Sequence, residues 1–361
     1  MAPPPVDDPL RIVFVSSHSR SGGSERYLAT LLGELGAAWV VRVVCLEEGP
    51  LVEQLRAAYP TEVVHSSGRA TSVLAAARRV RSLLRRERPD LVHANGVKAA
   101  VVAVLATLGL RVPVVWVKHD FSWDGRLARA VAARCRLVVG VSEAVTATLR
   151  SGSRVRVVPT GIPPLQPPSG RPEGLPEDAD ELVGVFGYLH PVKGQTELVE
   201  AAPAVLAVRP GARFLVVGAE DRSAEGYASA VRSRVDELGI SPAFTFLGHR
   251  DDAIDLVRAC RVVTVPTIGR GEGFGLVGVE ALAAGTPVVG YAAGALPEVV
   301  GDCGLLVPPG DRQALAEAIS RVLADAELRE RMSACGRERA RARFGLERWR
   351  DAMAEAYREA A

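Results

Sequence analysis

A chain of 361 residues exceeds what one hydrophobic core usually serves, so two domains are expected. Hydrophobic residues at 48% and charged residues at 24% give a globular balance and exclude a disordered or fibrous chain. A net charge of +2 offers no footprint for a polyanion, so nucleic acid is not an expected partner.

The first eight residues, Met1-Ala2-Pro3-Pro4-Pro5-Val6-Asp7-Asp8, are acidic and proline-rich, unlike a secretory leader. Residues 11–16 then form a short β-branched run of the buried-strand type. Gly22-Gly23-Ser24-Glu25 follow, and a helical pattern runs through Leu35. Strand, glycine turn and helix open a nucleotide-binding α/β unit, which places Gly22 and Gly23 near a ligand. The spacing predicts further strands at 40–46, 62–65, 91–94, 114–118, 137–141 and 155–158. Helices at 51–58, 71–87, 97–108, 126–133 and 143–149 alternate with them, which implies a doubly wound parallel sheet. The longest apolar run, 99–110, is too short to cross a bilayer and fits a buried helix.

Within helix 71–87 and just beyond it, Arg78, Arg79, Arg81, Arg85, Arg86 and Arg88 stand against Glu87 alone. The pattern reads as a solvated face in an Arg-rich chain, with weak peripheral contact to anionic lipid as the alternative. His119 and Asp120 follow strand 114–118, at the edge where such sheets place functional groups. Trp123 and Asp124 come next and, with Asp120, form a candidate acceptor wall.

Residues 161–174 read as a linker by composition. A second series of strands is expected at 182–188, 213–217, 244–247, 262–265, 288–290 and 305–307, with helices between them. The tail from 313 onward is helical, and its last helix is expected to pack back on the first domain. The expected organisation is therefore 1–165, 166–340 and 341–361, with ligands beyond the strands' carboxyl ends in a cleft between two facing domains.

The densest signal is Gly271-Glu272-Gly273-Phe274-Gly275-Leu276-Val277-Gly278-Val279-Glu280. Exposed N–H groups at a helix N-terminus form an anion site, so phosphate is the natural ligand of this turn. Carboxylates beside a phosphate suit a partner rich in hydroxyls, and the stretch reads as a pocket for a nucleotide sugar. With the helix starting near Phe274, Glu280 lies among apolar neighbours, where an unpartnered carboxylate would be costly. Five cysteines (Cys45, Cys135, Cys260, Cys303 and Cys335) show no C-x-x-C pair. That argues for a reducing, cytoplasmic setting and against a zinc site or disulfide framework.

These landmarks resemble the family-four retaining glycosyltransferases of the GT-B fold, from Arg11 to about Tyr357. The resemblance rests on Glu272 and Glu280 within E-G-F-G-L-x-x-x-E, on Lys193-Gly194-Gln195, on Gly22-Gly23-Ser24-Glu25, on His119-Asp120 and on Pro159-Thr160-Gly161-Ile162. It implies two Rossmann-like domains and transfer of a sugar from a nucleoside diphosphate, with retention, to an acceptor hydroxyl.

The resemblance also implies residue roles. Glu272 would hold donor-sugar hydroxyls, Glu280 the ribose diol, and Lys193 the diphosphate. The amides of Gly273, Phe274, Gly275 and Leu276 would approach the diphosphate or sugar, and His119 the sugar near its reacting carbon. Where the family often carries arginine this chain has Tyr188, which removes one positive charge from the donor site. No metal or other cofactor is implied.

The acceptor implied is a small natural product, aminocyclitol or polyol, with a membrane lipid or envelope polysaccharide as the alternative. Rival readings on the same fold are a nucleotide-sugar epimerase and a non-catalytic binding subunit. A NAD-dependent dehydrogenase is disfavoured because the first turn lacks the three-glycine fingerprint.

Overall fold

A computed structural model of the chain describes residues 9–20, 22–35, 39–149, 154–176, 180–269 and 271–361. The proline-rich start lies outside these ranges. The chain divides into two compact units, Met1–Gly161 with Leu346–Ala361, and Ile162–Gly345. The expected limits near 165 and 340 differ from these by a few residues. The two chain crossings lie side by side, with the Ile162 N–H donating to the Phe344 carbonyl at 2.9 Å.

The first unit runs β1 (Arg11–Ser16), α1 (Gly23–Leu35), β2 (Val40–Cys45), α2 (Pro50–Arg56), β3 (Thr61–Val63), α3 (Ala70–Glu87), β4 (Leu91–Asn95), α4 (Val97–Thr107), β5 (Val114–Lys118), α5 (Arg126–Ala132), β6 (Leu137–Gly140), α6 (Glu143–Thr146) and β7 (Val155–Val157). Its seven strands pair in the order β3-β2-β1-β4-β5-β6-β7. Every pairing is parallel. β4 and β5 are buried along their whole length, as strands covered on both faces must be.

α3 shows how the sequence sets a helix face. Val73, Ala76, Ala77, Val80, Leu83 and Leu84 recur at helical spacing and are buried, so the arginines fall on the other side. Arg78, Arg79, Arg85 and Arg88 are exposed. Arg81 instead donates to the carbonyls of Ala106 and Leu108, and Arg86 pairs with Glu62 and Glu87.

The second unit runs β8 (Glu181–Phe186), α7 (Gln195–Val208), β9 (Ala212–Val217), α8 (Tyr227–Glu237), β10 (Phe244–Gly248), α9 (Ala253–Ala259), β11 (Val262–Val265), α10 (Leu276–Ala284), β12 (Val288–Tyr291), α11 (Leu296–Val300), β13 (Leu305–Val307), α12 (Arg312–Ala324) and α13 (Ala326–Phe344). Its six strands pair in the order β10-β9-β8-β11-β12-β13. The chain then returns to the first unit as α14 (Leu346–Ala360). There Trp349 meets Tyr27 edge-on at 4.8 Å, and the Tyr357 hydroxyl lies 2.7 Å from His93 Nδ1.

The expectation that the cysteines carry no disulfide is corrected. Cys303 and Cys335 are bonded, with Cα atoms 5.3 Å apart and a sequence separation of 32. Their separation hid the pairing. The single turn Gly301–Cys303 after α11 packs on the middle of α13, which no local spacing motif records. Among the described residues Cys45, Cys135 and Cys260 are free. Also among the described residues, no helix is long and apolar enough to cross a membrane.

Candidate active site

The second sheet reverses its winding between β8 and β11, and the loops leaving those two strands must diverge there. Ligands of doubly wound sheets sit in that crevice. The loop after β8 carries Tyr188 and Lys193, the loop after β11 carries Thr267 and Glu272, and Gly294 follows the neighbouring β12.

His190 sets up the lysine. Its Nδ1 accepts the Val192 N–H at 3.1 Å, which caps the single turn Pro191–Lys193. Lys193 Nζ then lies 3.0 Å from Glu272 Oε2, and Thr267 Oγ1 donates to the same oxygen at 3.3 Å. Both side chains of the pair are largely buried, with 17% and 12% exposure. Burial works against the lysine's charge. The Glu272 carboxylate outweighs it, with Tyr188 adding a smaller contribution, and the Lys193 pKa rises above its ordinary value. Tyr188 itself is half-exposed, and its ring centre is 5.5 Å from Lys193 Nζ. Where a second cation was expected, an aromatic face meets the ammonium instead.

Glu272 is also held by its backbone. Its carbonyl accepts the Ala295 N–H at 2.9 Å. Gly294, at φ +56°, allows that approach, because a Cβ there would stand 2.3 Å from the Glu272 carbonyl oxygen.

Gly275 adopts φ +93° and serves as the N-cap of α10. The helix therefore starts at Leu276, two residues later than expected, because a left-handed residue cannot belong to its first turn. Val279 makes the first intrahelical bond, to the Gly275 carbonyl. The N–H groups of Leu276, Val277 and Gly278 thus have no intrahelical partner. Gly273 and Phe274 are buried just before them, and the Phe274 ring packs edge-on to Phe344 at 5.7 Å. Glu280 is the fifth residue of α10, roughly 6 Å along its axis, and is 8% exposed. Lys193, Glu272 and the Gly273–Leu276 segment thus share one edge of the second unit, and Glu280 lies one turn into the helix that starts there.

The first unit has its own winding reversal, between β1 and β4. Gly22 lies on the loop after β1, Gly23 and Ser24 open α1, and Asn95 ends β4. The Gly22 carbonyl accepts the Arg26 N–H at 3.0 Å as α1 begins. Glu25 is buried and bonded to Ser24 Oγ at 2.9 Å.

His119, one residue beyond β5, places Nε2 at 2.6 Å from Asn95 Oδ1. Its ring meets that of Tyr27 edge-on at 4.7 Å. Burial, reinforced by Lys118 and only partly opposed by Asp120, pushes the His119 pKa down to about 4. Sequence reasoning missed Asn95 and Tyr27. The signal for Asn95 was its place at a strand end beside the winding reversal.

The candidate acceptor wall is divided in role. Lys118, 2% exposed, pairs with Asp124 at 2.9 Å and donates to the Asp120 carbonyl, so Asp124 balances a buried cation. The Asp120 carboxylate accepts the Ser122 N–H at 2.8 Å. Trp123 is 46% exposed at φ +56°, a conformation unusual for a bulky residue. Among the described residues no three His, Cys, Asp or Glu side chains gather as a metal cluster.

Known proteins resemble this chain in sequence and fold. The family model for Glycosyltransferase Family 4 matches residues 21–164, and that for Glycosyl transferases group 1 matches residues 180–325. A D-inositol 3-phosphate glycosyltransferase of Saccharomonospora viridis is 37% identical over 195 residues, covering 52% of this chain and 44% of that protein. A phosphatidyl-myo-inositol mannosyltransferase of Mycobacterium leprae is 36% identical over 196 residues, covering 53% and 50% respectively. The chain spans about half the length of these curated relatives. Anabaena HepE, solved with UDP and glucose, superposes with a TM-score of 0.83 at 26% identity, covering 96% of this chain and 99% of that one. Two doubly wound parallel sheets, glycine-turn edges on each and matches that together take in most of the chain agree, and the chain belongs to the family-four, group 1 glycosyltransferases of the GT-B fold.

Proposed function

We propose that the protein is a retaining glycosyltransferase that moves a sugar from a nucleoside diphosphate to a hydroxyl of a small polyol-like acceptor. The observation that carries this reading is the Lys193–Glu272 pair at the winding reversal of the second unit, on the same edge as the N-terminal N–H groups of α10. A fixed cation and aligned amides suit the charge that grows on a departing diphosphate. The Glu272 carboxylate is an acceptor-only group suited to sugar hydroxyls, and Glu280 suits a ribose diol.

No general base beside the acceptor is needed in a front-face displacement. The leaving diphosphate oxygen takes the acceptor proton as the new glycosidic bond forms and the bond from sugar to phosphate breaks. His119, with its pKa near 4, is neutral at pH 7 and serves as a polar contact to the sugar. The reading needs no metal, since Lys193 and the amides carry the charge stabilisation. A cytoplasmic location goes with it.

UDP and UDP-glucose are the first donors to try, because HepE structures hold them. Relatives named for inositol phosphate and phosphatidyl-inositol support a polyol acceptor. In the first unit, Trp123 supports an acceptor role, because an exposed aromatic held in a strained backbone marks a site more often than a scaffold.

The direct test is incubation with a panel of nucleoside diphosphate sugars and inositol-type acceptors in the presence of EDTA, with NMR of the product anomer. Formation of a product with the donor's anomeric configuration is expected. An inverted product, turnover without acceptor, or activity that EDTA abolishes and manganese restores would each contradict the proposal.

A further inference from the structure

The hydrogen bonds around Asn95 have a determinate polarity. The Ser24 carbonyl oxygen can only accept, so the Asn95 atom 3.0 Å from it is the amide nitrogen. The other end of the amide, Oδ1, therefore faces His119 Nε2 at 2.6 Å, and an amide oxygen can only accept as well. The proton of the neutral imidazole must then lie on Nε2, and the lone pair falls on Nδ1. Among the described residues the structure gives that nitrogen no partner.

We propose that Asn95 is a positioning residue: anchored by Ser24, it holds His119 in the Nε2–H tautomer, so that Nδ1 presents a lone pair to a hydroxyl of the substrate sugar. This rests on the glycosyltransferase reading above and deepens it, assigning His119 the acceptor half of a hydrogen bond. A histidine so held cannot protonate a leaving group. It selects instead for a sugar that carries a hydroxyl at the contacted position, because a deoxy sugar would leave the lone pair unmatched.

The surroundings agree. Tyr27 from α1 contributes a ring edge, and His93 on β4 is itself buried and pushed down to about 3 by that burial, with His119 adding to it. Lys118 and Asp120 flank His119, and Asp124 balances Lys118. The glycine-led first turn of α1 also gains a function here, since its Ser24 carbonyl fixes the amide's orientation.

The test is nitrogen-15 NMR of histidine-labelled protein at pH 7, with the His119 signals assigned by their loss in His119→Phe. The wild type should show a protonated Nε2 and an unprotonated Nδ1. Asn95→Ala should lose that pattern and lower kcat by roughly ten- to a hundredfold, the usual scale for a misplaced contact, with the melting temperature recorded alongside. Asn95→Asp can still accept from Nε2–H, although its carboxylate no longer donates to the Ser24 carbonyl. It should restore the tautomer and part of the activity relative to Asn95→Ala, with a new acidic limb in the pH–rate profile, which a merely structural role would not produce. A proton on Nδ1 in the wild type overturns the proposal, as does an Asn95→Ala protein that keeps both tautomer and rate. The tautomer is read without substrate, so a failure here is separate from an absence of glycosyl transfer, which would count against the proposed function instead.

Discussion

Lys193 keeps its charge although it is buried, because the Glu272 carboxylate is 3.0 Å away. A cation whose folded pKa is raised stabilises the fold fully below its ordinary titration range and loses that contribution only as pH rises through the raised value. Nucleotide affinity should therefore persist through the usual lysine range, which a binding titration at rising pH checks.

The two inner histidines behave in the opposite sense. Burial pushes His93 to about 3 and His119 to about 4, so the unfolded chain takes up protons first as pH falls. The histidines' contribution to stability should decline from about pH 6.5 to about pH 3, and melting curves of wild type against His93→Gln should show a shallower slope over that window in the variant. Trp123→Asn, which tolerates positive φ, is expected to leave the melting temperature unchanged or slightly raised while increasing KM for the acceptor. A KM that does not move would remove Trp123 from the acceptor site.

At the scale of elements, Gly294 and α10 together decide where Glu272 stands. Gly294→Ala would place a Cβ 2.3 Å from the Glu272 carbonyl oxygen in a backbone region that L side chains avoid. It should weaken donor binding more than it lowers the melting temperature, as calorimetry and thermal unfolding would show. The Cys303–Cys335 bond ties the turn after α11 to α13. Alkylation of denatured protein without reductant should label three cysteines, and five after reduction.

The alternation of strands and helices was legible because buried parallel strands write continuous Val-rich runs, such as Val114 to Lys118. Glu272 and Glu280 stand in one short motif and Lys193 in another, so the sequence could nominate each, whereas their meeting across two loops could not be read from spacing. Asn95 was not legible, because its meaning comes from a histidine just beyond the neighbouring strand and from a carbonyl in the first turn of α1. The disulfide escaped for the same reason. Apolar periodicity points to a start of α10 near Phe274, two residues before the observed one, since the left-handed Gly275 is set by the turn.

For the whole molecule, exposed Arg78, Arg79, Arg85 and Arg88 on and beside α3 leave weak docking on anionic lipid as a further proposal. Sedimentation with phosphatidylserine vesicles should show salt-sensitive binding, and none with neutral vesicles. The central claim is that the second unit holds a nucleoside diphosphate between Lys193, the α10 N-terminus and Glu280. Calorimetric titration of UDP into wild type, Lys193→Gln and Glu280→Ala tests it most directly. Saturable binding by the wild type, weakened about tenfold or more in each variant while all three remain folded, is the predicted result. Equal affinity across the three proteins, or no binding of any nucleoside diphosphate by the wild type, would contradict it.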